Sequence, residues 1–182
     1  MQSGSPGSLT EAAPDEAGIG KTAITLVIVA VILLFDITTK LWVVENFRLH
    51  ESVQVIGDFF RFTYTHNRGA AFGINVGENS RIFFLVLAIL ALGIVGFIFR
   101  ATPATDRLRL CALSLVAGGA IGNILDRIRY EQGVVDFLDF GLGSSRFPVF
   151  NVADSAISVG AALLLLSFYL EGRDEPEAET GD

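Results

Sequence analysis

Between Arg81 and Arg100 the chain runs IFFLVLAILALGIVGFIF, 18 residues without a charge. A helix of that length rises roughly 27 Å at ~1.5 Å per residue, close to the hydrocarbon thickness of a bilayer. Three further apolar runs accompany it. TAITLVIVAVILLF, from Thr22 to Phe35, is extended past Asp36 and Lys40 by LWVV; the others run from Leu110 to Leu125 and from Ser155 to Leu170, and both are short unless their polar ends are included. In hydrocarbon every backbone polar group must be satisfied within the segment, so the runs predict four transmembrane helices at about 22–44, 82–99, 108–127 and 152–170. An even number of spans leaves both tails on one side. The 51% hydrophobic content and the positive mean hydropathy of +0.54 agree with a membrane protein.

The formal charge of -7 misleads if read for the whole chain. Residues 1–20 hold Glu11, Asp15 and Glu16 with no base, and residues 171–182 hold six acids against Arg173, so the stretch between carries a single net positive charge. Nothing there resembles a nucleic-acid surface, and no nucleic-acid partner is expected. The Ser, Gly, Pro and acid-rich start lacks the basic onset and apolar centre of a cleavable signal peptide. Residues 1–20 and 171–182 therefore read as disordered acidic tails flanking one domain, 21–170, with loops at 45–81 and 128–151. The lone Cys111 excludes a disulfide framework within one chain and reads as a small buried hydrophobe.

In an up-down-up-down bundle the end of span one, the start of span two, the end of span three and the start of span four share one membrane face. Asp36 and Lys40, then Arg81, then Asn123, Asp126 and Arg127, then Asn151 and Asp154 occupy those four places. The costly groups thus converge. Ionisable groups within membrane segments tend to mark function, because each costs roughly 2.5–3.5 kcal/mol near the bilayer centre and less at the interface. Each set also has a plain structural reading. Asp36 and Lys40, four apart, can neutralise one another; Arg127 can snorkel with Asp126 as its counter-ion; Asn151 can cap the fourth helix with Asp154 in its acid-friendly first turn.

The loops at this face carry patterns of their own. FRFTYT alternates Phe60, Phe62 and Tyr64 with polar residues, which predicts a strand in a small sheet with an aromatic face, after a turn at Gly57 and Asp58. VVDFLDFGLGSSRFPVF, from Val134 to Phe150, mixes apolar residues with Gly and Pro in the manner of an interfacial lid. NRGAAFG, Asn67 to Gly73, packs Gly69, Ala70 and Ala71 where another backbone can approach closely. The fold class expected is an all-α membrane protein: a four-transmembrane-helix bundle with a small β-sheet and an interfacial lid loop or helix at one face.

Asp136, Asp139 and Asp154 offer carboxylate pairs at the converging face. Two carboxyls held close share a proton, so that one activates water while the other polarises a carbonyl, the chemistry of aspartic proteases. Neither His50 nor His66 stands in a recognisable nucleophile spacing with a serine, no HExxH or cysteine-rich metal pattern occurs, and a Ser155 or Ser158 pairing with Lys40 has no local support. No metal or cofactor is expected.

FDITTK (Asp36, Lys40), NRGAAFG (Asn67, Gly69, Ala70, Ala71, Phe72), GNILDR (Gly122, Asn123, Asp126, Arg127), VVDF (Asp136) and FNVADS (Asn151, Ala153, Asp154) together resemble the ordered motif set of bacterial lipoprotein signal peptidase, or signal peptidase II, over about residues 22–170. The resemblance implies a membrane aspartic endopeptidase that cuts diacylglyceryl-modified prolipoproteins just before the lipidated cysteine. It implies a catalytic dyad of Asp136 and Asp154, whereas sequence chemistry alone does not choose between Asp136 and Asp139. Asn67, Gly69, Asn123, Arg127 and Asn151 are then expected to bind substrate or support the dyad, and Asp36, Lys40 and Asp126 to hold the helix ends. The resemblance further implies the bacterial inner membrane, both termini cytoplasmic, the site near the extracytoplasmic face with the sheet as an extracytoplasmic β-sheet cradle for substrate, and inhibition by the cyclic peptide globomycin; a monomer is expected. Basic Arg100, Arg107 and Arg109 in the short loop lean towards the same orientation, although Arg48, Arg61, Arg129 and Arg146 lie on the other side. A proton-coupled transporter or a structural scaffold would also gather polar groups in a bundle, but a transporter spreads them along the membrane depth.

Overall fold

The computed structural model describes residues 14–69 and 77–174. Ala70, Ala71 and Phe72 of the NRGAAFG motif lie outside the described residues. Four helices, α1 (Pro14–Asn46), α2 (Ser80–Ala101), α3 (Arg107–Arg129) and α4 (Val152–Asp174), are each long and apolar enough to cross a membrane. Large apolar side chains point away from the protein along their length, Phe97 at 75% and Leu165 at 71% exposure among them. A surface of that kind is stable against lipid tails and not against water.

The helices begin earlier and end later than the apolar runs. Residues 14–20, expected in a disordered tail, form the first turns of α1, and α4 continues past Leu170 to Asp174. Pro14, Asp15 and Glu16 are residue types favoured in the first turn of a helix. At the same end of the bundle Lys21 Nζ donates to the carbonyls of Phe99 (3.0 Å) and Thr102 (2.9 Å), satisfying acceptors that the end of α2 leaves open. Asp106 caps α3 by accepting from the Arg109 amide at 2.9 Å.

α3 is the central helix and packs against the other three. Its contact with α4 is a seam of small residues. A Cβ on Gly119 would strike the Ala153 carbonyl, and one on Gly160 would come 2.8 Å from the Ala112 carbonyl, so the two backbones approach closely at both points.

The loops at the far end form one antiparallel sheet in the order β1 (Ser52–Ile56), β2 (Phe60–Asn67), β3 (Val134–Leu142), β4 (Ser145–Arg146). The sheet expected from the Phe60, Phe62, Tyr64 alternation is present. The segment expected to be a lid contains β3 and β4, with β3 paired to β2 through Thr65 opposite Asp136 and Arg61 opposite Asp139. A bulge in β2 between Phe62 and Thr65 lets Tyr64 exchange backbone bonds with His50 (2.8 Å) and Glu51 (3.0 Å). Val43 of α1, Tyr64 of β2, and Val135 and Phe137 of β3 form a buried cluster that fixes the sheet on the bundle. Edge-to-face contacts from Trp42 to Phe47 (5.3 Å) and Phe62 (5.5 Å) extend that attachment outward.

Candidate active site

The start of α4 is a reciprocal cap. Asn151, immediately before the helix, accepts from the Asp154 amide at 2.8 Å, and an Asp154 carboxylate oxygen, Oδ2, accepts from the Asn151 amide at 3.3 Å. The plain capping reading of Asn151 therefore holds. It leaves Asp154 Oδ1 to point elsewhere, where it accepts from Asn123 Nδ2 at 2.7 Å. Both oxygens of this carboxyl are held by neighbours and its orientation is fixed.

Asn151 is fully buried and also reaches the other candidate carboxyl. Its Nδ2 donates to Asp136 Oδ1 at 2.7 Å and lies 3.2 Å from both Asn123 Oδ1 and the Val135 carbonyl. Asp136 and Asp154, which are 18 positions apart in sequence, are thus joined through two amides, Asn151 and Asn123. Asn67, at the end of β2, accepts from the Gly69 amide at 2.9 Å and hydrogen-bonds Asp136 as well. Gly69 has φ +119, and a side chain there would strike the Phe84 ring of α2.

Lys40 anchors the arrangement from below. Its Nζ donates to Asp36 Oδ2 (2.8 Å) and Asn123 Oδ1 (3.1 Å) and forms an ion pair with Asp126 Oδ2 at 3.0 Å. Asp36 Oδ1 accepts the Ala153 amide in the first turn of α4 at 3.0 Å, and Asp126 Oδ2 accepts the Val135 amide at 3.1 Å. One buried cation therefore ties α1, α3, α4 and β3 together. Asp126 is not the counter-ion of Arg127, as the sequence suggested. Arg127 Nη1 donates to the Asn123 carbonyl at 3.1 Å, its Nε is buried without a partner among the described residues, and Asp126 turns inward to Lys40. The helical step of 100° separates neighbours 126 and 127 onto different faces.

Asp136 is 1% exposed. Burial, reinforced by the charge of Asp154, pushes its carboxyl up to about 7, against the opposing hydrogen bonds of Asn67 and Asn151 and the charge of Lys40. Asp139 has a different setting. It accepts from Arg146 Nε and Thr63 Oγ1, both at 2.6 Å, on the part of the sheet away from the two asparagines. Beside Asp136, His66 is held between Tyr64 Oη (2.9 Å) and the Gly133 carbonyl (3.4 Å), and burial lowers its pKa below the usual imidazole value.

Two cavities border the network, one at Asp136 and the other at Asp154. One, about 490 Å³, is lined by Asp136, His50, His66, Asn67, Arg68 and Gln132 with Pro148 and Val149, and opens over the sheet. The other, about 250 Å³, is a mostly apolar groove between α2 and α4, lined by Phe84, Leu87, Ala88 and Ile157, with Asn123, Arg127 and Asp154 at its end. The lining role of His66 and Gln132 had no signal in the sequence, because each is an ordinary strand or loop residue until β2 and β3 pair, whereas Arg68 stands inside the NRGAAFG run.

Comparison with known proteins gives a consistent picture. The family model for signal peptidase (SPase) II matches residues 28–170. The lipoprotein signal peptidase of Maridesulfovibrio salexigens is 44% identical over 146 residues, covering 79% of this chain and 93% of that protein. The lipoprotein signal peptidase of Brevibacillus brevis is 46% identical over 147 residues, covering 80% and 95%. A solved bacterial membrane enzyme superposes with a TM-score of 0.76 at 30% identity, covering 87% of this chain and 95% of its own.

Proposed function

The chain belongs to the signal peptidase II family, and from that premise we propose that Asp136 and Asp154 are the aspartic dyad with which it removes signal peptides from prolipoproteins in lipoprotein maturation. The observation that carries the reading is the buried amide bridge from Asp136 through Asn151 and Asn123 to Asp154, with a cavity bordering each carboxyl. A signal helix lies in the groove between α2 and α4, the mature chain leaves through the cavity over the sheet, and the scissile bond falls between them. The substrate is a diacylglyceryl-modified prolipoprotein, cut just before the lipidated cysteine, whose acyl chains stay in the bilayer.

In the resting pair the two carboxyls share one proton, which the proposed mechanism takes as held on Asp136. Asp154 takes a proton from water as the oxygen attacks the scissile carbonyl carbon, and Asp136 gives its proton to the carbonyl oxygen. The resulting gem-diol collapses when the proton now on Asp154 passes to the amide nitrogen, the C–N bond breaks, and a hydroxyl proton returns to Asp136. Arg127, at the end of the groove, and Asn67 hold the peptide backbone across the pair. The protein works in the bacterial inner membrane with both termini cytoplasmic and the sheet on the outer side, and globomycin competes for the same place.

The test uses purified protein in detergent with a diacylglyceryl lipopeptide bearing a cysteine-containing cleavage site. Cleavage before the cysteine, blocked by globomycin and lost in Asp136→Asn and in Asp154→Asn, is expected. Undiminished cleavage in either variant would overturn the dyad. Proton flux in liposomes without cleavage would favour a transporter.

A further inference from the structure

The cavity over the sheet differs in chemistry from the groove that faces the lipid. Among the described residues that line it, Asp136 is the one acid, and it lies at the floor. At the rim stand Arg68 and His50, both exposed, with Gln132 from the turn between α3 and β3. No ion pair of Arg68 is formed among the described residues, whereas the other rim-level arginines of the sheet are engaged, Arg61 with Asp58 and Arg146 with Asp139. Burial of His66 disfavours its charged form, against the opposing pull of the Gly133 carbonyl, so the exposed Arg68 supplies the fixed positive charge there. A volume of about 490 Å³ extends ~8 Å in each direction, which holds two to three residues of extended chain at roughly 3.4 Å each.

We infer that this cavity receives the first residues of the mature chain, and that Arg68 selects a carboxylate in the second or third position after the cut. The inference rests on the peptidase reading and adds a substrate preference to it. Arg68 acts as a specificity residue: it meets a side chain beyond the reacting bond, at the solvent side, where a charge pair is worth little in absolute terms but discriminates between opposite charges.

Three diacylglyceryl lipopeptides, identical through the lipidated cysteine and carrying Asp, Gln or Lys in the next two positions, test it. Wild-type kcat/KM is expected to fall in the order Asp, Gln, Lys, with about two- to fivefold per step. The spread should shrink at 0.5 M salt, where exposed charges are screened. Arg68→Gln should flatten the order and Arg68→Glu reverse it. Equal rates on the three peptides in wild type, or an order that Arg68→Gln leaves unchanged, would refute the preference while leaving the peptidase reading intact. If no peptide is cut, the peptidase reading fails and this one falls with it.

Discussion

Replacing Lys40 by methionine would remove the cation and keep most of the volume. Withdrawing one partner from a buried ion pair costs about 3–5 kcal/mol, because the remaining charge stays buried and uncompensated. Two acids lose their partner here, but each keeps one backbone amide: Ala153 on Asp36 and Val135 on Asp126. Those remaining donors place the loss near ~3 kcal/mol rather than at the sum of two broken pairs. At about 2–4 °C per kcal/mol for a chain of this size, the apparent Tm should drop by about 6–12 °C. Trp42, the single tryptophan, sits on α1 near this position and reports the transition by fluorescence in detergent. The same change deprives Asn123 Oδ1 of one of its two donors and loosens the amide that holds Asp154, so kcat should fall about tenfold with a smaller effect on KM. Adding Asp36→Asn to Lys40→Met removes one stranded charge and should recover part of the stability. A Lys40→Met protein that melts within a degree or two of wild type, or a double variant no better than the single, would refute the account of Lys40 as the tie between helices.

Asp136→Asn and Asp154→Asn should each reduce lipopeptide cleavage by about a thousandfold or more, whereas Asp139→Asn, which alters only the Thr63 and Arg146 contacts, should keep most of the rate; initial rates on one lipopeptide separate them. Because the Asp136 carboxyl is raised to about 7, kcat/KM should fall as pH rises through that value, when the pair loses its proton. The same shift gives a stabilisation that is full below the unfolded carboxyl value of 3.8 and lost as pH rises through about 7; Asp136→Asn should flatten that part of the Tm against pH curve. Gly119→Ala should cost about 1–3 kcal/mol by forcing α3 from α4, while Gly93→Ala in α2, whose Cβ meets nothing within 4 Å, should be neutral or gain up to about 1 kcal/mol; thermal melts of the two decide it.

The spans were legible because apolar runs of this length have few other uses, and the Asp36 and Lys40 contact because a spacing of four puts both on one helix face. The cap at Asn151 was legible for the same local reason. Contacts across elements were not. Lys40 reaches Asp126 and Asn123 only after α1 packs on α3, and the Asn123 to Asn151 bridge needs the close α3 and α4 backbones, neither of which a one-dimensional pattern contains. β3 was not legible as a strand because Val134, Val135, Asp136 and Phe137 are all buried, so the alternation that betrays a half-exposed strand is missing. Asp136 and Asp139 look alike in the sequence; only the strand register gives one the asparagines and the other Arg146.

The glycine seam between α3 and α4 bears on how the protein meets membranes of different thickness. A helix that leans on its neighbour through long side chains can slide or tilt against it as the bilayer thins, at a cost of fractions of a kcal/mol per ångström of mismatch. Asp154 rides on α4 and its partner Asn123 on α3, and the two backbones approach closely at Gly119 and Gly160, so the pair moves as a single plank. Adaptation to a thinner or thicker lipid environment then falls to α2 and the width of the groove beside it, and the spacing of the amides and carboxyls is carried through unchanged.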